Sequence, residues 1–194
     1  MVLCEKNKNF AVFILMLGGL LLSSCASTGR TYLDSIMDFG AIKSVAVLPF
    51  ANLSTDKQAA ERVRDVFTTH LLATEAMYVL PAGEIARGVS KVGVSEPTAP
   101  SSEEIKKLAG IIKVNAVITG TVREYGAVRS AATSANVISL SLTMIEADTG
   151  KVVWTASSTK GGITLWDRLF GGGGRPMNDI TEEAIDELLD QLFK

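Results

Sequence analysis

The sequence predicts one α/β domain, a mixed sheet of three to five strands covered by helices in the order β-α-β-α-β-β-β-α. Three observations point there. Short β-branched runs alternate with amphipathic stretches in the first half, two alternating strands and a hairpin turn follow, and an amphipathic stretch closes the chain. The composition permits such a domain: 194 residues, 47% hydrophobic and 21% charged, carry enough apolar material for one core.

The domain is expected over residues 43–194. Ser44 to Phe50 (SVAVLPF) is a compact β-branched run closed by Pro49, which reads as a buried strand. Thr55 with Gln58 forms a capping-box pattern, and Ala59, Val63, Val66, Phe67, His70 and Leu71 recur at helical spacing, so residues 55–74 read as a helix. Met77 to Leu80, stopped by Pro81, is a second short strand. Glu84 to Val89 reads as a helical turn, and Val92 to Ser102, with two prolines, as a loop. Ser101 and Glu104 give a second capping box, ahead of Ile105, Leu108, Ala109 and Ile112 on one face.

Ala116 to Tyr125 begins apolar and then alternates, and Val137 to Glu146 sets Ile138, Leu140, Leu142 and Met144 against Ser139, Ser141 and Thr143. These two read as an antiparallel pair. Gly120 inside the first of them marks a bulge or a close backbone approach. Ala147-Asp148-Thr149-Gly150 is a hairpin turn into Val152 to Thr159. Asp179 and Thr181 offer caps for a last helix that turns Ala184, Ile185, Leu188, Leu189 and Leu192 one way and its acidic residues toward water.

Upstream of the domain the sequence reads as an address. Lys6 and Lys8 precede an apolar run from Phe10 to Leu22, which is shorter than the roughly 20 residues of a spanning helix and contains Gly18 and Gly19. Residues 1–24 are therefore a signal peptide, cut before Cys25, and residues 25–42, polar and aperiodic, are a tether. Without residues 1–24 the chain keeps 17 basic and 20 acidic side chains, a net charge of −3, which gives nucleic acid no basic surface. Cys25 is then the only thiol, so no internal disulfide forms.

Catalytic constellations are scarce. His70 is the only histidine and falls on the apolar side of its helix, where it reads as a packed or boundary residue. With one histidine and one cysteine, neither a His/Cys metal site nor a Ser-His-Asp triad has the parts it needs. Glu182, Glu183, Asp186, Glu187 and Asp190 read as a solvated helix face. Gly171 to Gly174 lacks the GK[ST] of a phosphate loop, and Pro176 removes a donor. No enzyme and no cofactor are expected. The feature that stands out is Trp166, Leu169 and Phe170 on a loop flanked by Gly161, Gly162 and Gly171 to Gly174. Ordering large apolar groups on such a loop costs conformational freedom, so they bury against something: the domain's own core, a protein partner, a second copy or the lipid leaflet.

Leu22-Ser23-Ser24-Cys25 resembles the lipobox of bacterial lipoproteins. The resemblance implies a diacylglyceryl thioether and an N-terminal acyl chain on Cys25, enough for stable anchoring. Ala26 is not the aspartate that retains enteric lipoproteins in the inner membrane, so an outer-membrane address facing the periplasm is implied. The segments VAVLPFANLS, AMYVLP, NAVITGTVREYG and SLTMIEADTGKVVW, over residues 43–194, resemble a superfamily of periplasm-facing lipoproteins. It includes the curli-secretion channel (CsgG type), small neisserial-type surface lipoproteins, LpoB-type activators of peptidoglycan synthases and the TolB N-terminal domain. That likeness implies a TolB-N-like domain and a non-enzymatic, protein-binding accessory role in secretion or envelope assembly, often as a homo-oligomer. Its alternatives are a channel subunit or a synthase activator. Channel members extend two connections into spanning hairpins whose strands need about 9–11 residues each. Neither Gly126 to Asn136 nor Gly161 to Met177 is expected to supply two such strands.

Overall fold

A computed structural model describes residues 30–130, 133–162 and 174–193. Among them lie seven strands and four α-helices: β1 Thr31–Leu33, β2 Ser44–Val47, β3 Ala51–Asn52, α1 Ala59–Ala73, β4 Tyr78–Val79, α2 Ala82–Val92, α3 Ser102–Ile112, β5 Ala116–Ser130, β6 Thr133–Glu146, β7 Val152–Gly161 and α4 Met177–Leu192. The sheet order is β1-β7-β6-β5-β2-β4, with β3 also paired to β5. β4 and β5 run parallel to β2, on either side of it, while β5, β6, β7 and β1 are successively antiparallel. Helical crossovers make the parallel part and tight connections the meander, as helix-strand alternation followed by strand-strand alternation requires. The α/β class and the mixed sheet are as expected; the strand number is higher.

Two apolar layers hold the sheet. On one face α1 and α4 bury Val63, Phe67, Leu71, Ile180, Ile185 and Leu188 against Val45, Val47, Ile118, Leu140, Leu142 and Trp154. On the other, α2 and α3 bury Ile85, Ile105 and Leu108 against Ala46, Leu48, Val117 and Ile145. Odd and even positions of β2 thus serve different layers, which is why that strand reads as continuously apolar. Gly120 is the expected close approach: a Cβ there would stand 2.6 Å from Leu142 Cδ2 and 3.1 Å from Phe50 Cδ1. The bulge lies two positions on, between Val122 and Glu124.

Local signals were met unevenly. The Ser101–Glu104 capping box forms in full. The turn at Ala147 to Gly150 closes with the Gly150 amide donating to Glu146 O at 2.9 Å and Gly150 at φ +68°. The Thr55–Gln58 box does not form. Asp56 Oδ1 accepts the Gln58 amide instead, and α1 begins at Ala59, because a carboxylate two residues upstream competes for the same donor. The last helix starts at Met177 behind Pro176, ahead of both expected caps, since proline fixes the entry φ without needing a side-chain cap. Residues 82–92 are a full helix, where a single turn was expected, ended by Gly93 at φ +74°.

The tether expected over residues 25–42 is one only in part. Thr31–Leu33 pairs antiparallel with Ala156, Thr155 and Trp154 of β7, Phe39–Ala41 is a 3₁₀ turn capped by Asp38, and Ile42 is 3% exposed. The folded unit therefore reaches back to Thr31. In Gly126 to Asn136, the connection expected to be too short for two spanning strands, the described residues belong to β5 and β6, which stay paired from Ala116↔Glu146 to Ser130↔Thr133. Among the described residues no helix is long and apolar enough to cross a membrane.

Candidate functional site

Cys25 and its lipobox residues Leu22, Ser23 and Ser24 lie outside the described residues, as do Trp166, Leu169 and Phe170. What the structure describes is the ground on which the aromatic loop stands. β7 ends at Gly161, and the chain returns at Gly174; both feet of the loop rest on the start of β6. The Gly162 amide donates to Asn136 O at 2.8 Å, and Asn136 Nδ2 donates to Arg175 O at 2.9 Å. One residue thus ties together the chain on either side of residues 163–173.

The glycines there are required by space and by backbone conformation. Gly161 sits at φ +85°, and a Cβ on it would fall 2.1 Å from Asn136 O; at Gly174, φ +70°, a Cβ would meet Ala135 Cα and Cβ at 3.0 Å. Only glycine combines left-handed backbone with this closeness.

Beneath the feet lies a charged cluster on α4 that the sequence reading placed in water. Lys160 Nζ stands 3.2 Å from Glu183 Oε1 and 3.1 Å from Glu187 Oε2. Arg175 pairs with the other oxygen of Glu183, and Ser158 Oγ donates to Glu187 at 2.5 Å. Burial opposes the charge on Lys160, but the bonds to Glu187 and Glu183 override it and raise its pKa above the ordinary lysine value. The Arg175 hydrogen bond, opposed next by burial and then reinforced by Lys160, holds the Glu183 carboxyl below the usual carboxylate range. These ion pairs fix α4 against β7, and the Glu183 carboxylate, held ionised, is a poor proton acceptor at neutral pH. The helix face is solvated at Asp190, but Glu182 accepts from Asn178 Nδ2 at 2.6 Å, and Glu183, Asp186 and Glu187 are engaged by Lys160, Arg175, His70 and Ser158.

His70 is the boundary residue expected of it. It is partly buried, with Nδ1 2.7 Å from Asp186 Oδ1, and links α1 to α4. Among the described residues no group of three or more His, Cys, Asp or Glu side chains is placed to hold a metal ion. Sequence reading missed Asn136 and Lys160. The i, i+4 spacing of Glu183 and Glu187 was visible, but their cation lies on a strand whose pairing with α4 only the fold reveals.

No curated protein matches the sequence. The structure is similar to a PelC dodecamer from Paraburkholderia phytofirmans, with a TM-score of 0.57, 17% identity, and coverage of 85% of this chain and 98% of the other. It is also similar to the lipoprotein GNA1162 from Neisseria meningitidis, with a TM-score of 0.53, 22% identity, and coverage of 78% of this chain and 98% of the other. These likenesses concern the fold. The small neisserial-type lipoproteins named by resemblance are the group that the family comparison picks out: residues 37–164 match the GNA1162-like lipoprotein model, and the chain belongs to that family.

Proposed function

We propose that this protein is a lipid-anchored outer-membrane lipoprotein, acylated on Cys25, whose domain faces the periplasm and serves as a non-catalytic, protein-binding accessory in secretion or cell-envelope assembly. The observation that carries this reading is the platform at Asn136. The segment that carries Trp166, Leu169 and Phe170 in the sequence leaves and re-enters the domain at residues held by hydrogen bonds and at glycines admitting no side chain. Fixing the feet lowers the entropy lost when the loop binds, which favours aromatic residues as interface anchors. Membership of a lipoprotein family supports the anchor.

Self-assembly is the form of binding best supported, because a protein of the same fold is a dodecamer. A channel subunit is less well supported. Val137 pairs with Gly161 at the end of β7, and only four residues of β6 extend past that point, against about 9–11 for a spanning strand.

The test is the mass of residues 26–194 by light scattering over a concentration series, for wild type and for a Trp166→Ala/Phe170→Ala double variant. The expected result is a multimer that the variant loses while keeping its fold by circular dichroism. Monomers of equal stability would rule out assembly through this loop and leave a heterologous envelope partner as its object.

A further inference from the structure

The direction in which the chain leaves the domain, and how little chain is left, decide which end of the molecule meets the lipid. Arg30 O accepts from the Ser157 amide on β7, and β1 runs antiparallel to β7. Read backwards from Thr31, the chain therefore heads toward the Gly161 end of the sheet. Five residue steps separate Arg30 from Cys25, a reach of at most about 18 Å. In the same direction β7 continues four residues from Ser157 to Gly161, opposite Val137, and β6 continues four more to Thr133. At ~3.3 Å per residue the β5–β6 hairpin projects about 26 Å beyond the level of Arg30. The projection exceeds the tether. With the acyl chains of Cys25 in the leaflet, the hairpin meets the lipid surface at every tilt of the strands within about 45° of the membrane normal.

The chemistry of that end agrees with the geometry. From Ala127 to Asn136 the sequence holds no acidic residue, and its single charge is Arg129, among alanines, serines, a threonine and a valine. Val128 is 45% exposed and Leu53, on the turn after β3, is 71% exposed; both line one shallow cleft of about 240 Å³ with Arg123 and Tyr125. Glu124 lines the cleft beside Arg123, but toward the tip Arg129 stands opposite Ser134 with no carboxylate from 127 to 136. Small side chains, two exposed aliphatics and that arginine suit a phospholipid headgroup layer, where arginine meets phosphate and aliphatic groups enter the interface.

We infer that the distal β5–β6 hairpin, centred on Val128 and Arg129, is a second membrane contact that lies on the phospholipid leaflet holding Cys25. The inference rests on acylation of Cys25. It sets the domain with its hairpin end down and the Ala147–Gly150 turn, at the other end of β6, away from the bilayer.

The mature acylated chain has no free thiol, so an introduced cysteine labels uniquely. An environment-sensitive dye would be placed at Val128→Cys, at Ser134→Cys on the facing strand, or at Asp148→Cys on the distant turn. Each full-length lipoprotein would be reconstituted in phosphatidylethanolamine/phosphatidylglycerol vesicles carrying a headgroup quencher. The expected result is loss of most emission at 128 and 134, with 148 unchanged. Vesicle-bound, acylated protein quenched no more at 128 and 134 than at 148 overturns the hairpin contact alone. Protein lacking the acyl mass on Cys25 and remaining in the aqueous fraction overturns the anchor and this inference together.

Discussion

Asn136 holds a loop with two different groups, its carbonyl accepting from Gly162 and its side-chain amide donating to Arg175 O. The two contacts separate by mutation. Asn136→Ala removes only the side-chain bond and is expected to cost about 1 kcal/mol, the usual net value of one hydrogen bond. Gly161→Ala is expected to cost more, about 1–3 kcal/mol, because it strains a backbone at φ +85° and drives a Cβ into Asn136 O. Urea unfolding of residues 26–194 measures both; equal losses would mean that the feet are held elsewhere. Neither role was legible in the sequence. Gly161 and Gly162 announced a loop, but nothing in an alternating strand distinguishes the asparagine that a distant glycine will touch. Gly120 was legible because a glycine inside an otherwise β-branched strand calls for a neighbour that takes the missing side chain's place, here Leu142 and Phe50.

At the scale of elements, α4 is read by its apolar stripe and misread by its acidic one. Leu188, Leu189 and Leu192 were legible as core from spacing alone. The acidic residues were not, because the spacing that marks a solvated face also brings Glu183 and Glu187 to Lys160. The pairing has a pH signature. Glu183 titrates below its ordinary value when folded, so its contribution is present above the unfolded pKa, near 4.3, and is lost as pH falls through the folded value. Lys160 titrates above its ordinary value, so its contribution is complete below about pH 10.4 and is lost as pH rises through the folded value. Both pairs are partly solvated, which limits each to roughly 1 kcal/mol or less. Melting temperature against pH should show an acid limb that Glu183→Gln flattens and an alkaline limb that Lys160→Met flattens. Limbs unmoved by either substitution would place the titrating groups elsewhere.

For the whole molecule the decisive element is the smallest. A sheet ordered β1-β7-β6-β5-β2-β4 has two open edges, and each is closed by a strand too short to template another chain: β4 with two residues and β1 with three. Short edge strands are a known protection against edge-to-edge pairing. β1 was invisible in the sequence because its residues are all exposed and show no alternation, so the segment read as tether. Its position couples the proposed anchor to the fold, since the chain that leads toward Cys25 is also the cover of β7. Deleting residues 26–34 therefore uncovers the amides and carbonyls of β7 around Trp154 to Ser157 while leaving both helix-covered cores untouched. The shortened domain, residues 35–194, is expected to stay folded and to acquire concentration-dependent association absent from residues 26–194 carrying the Trp166→Ala/Phe170→Ala pair. To isolate the edge, the same pair is placed in the shortened chain. Light scattering of the two proteins side by side measures it. Equal masses at every concentration would mean that β7 needs no cover, and that β1 serves only to aim the chain toward the membrane.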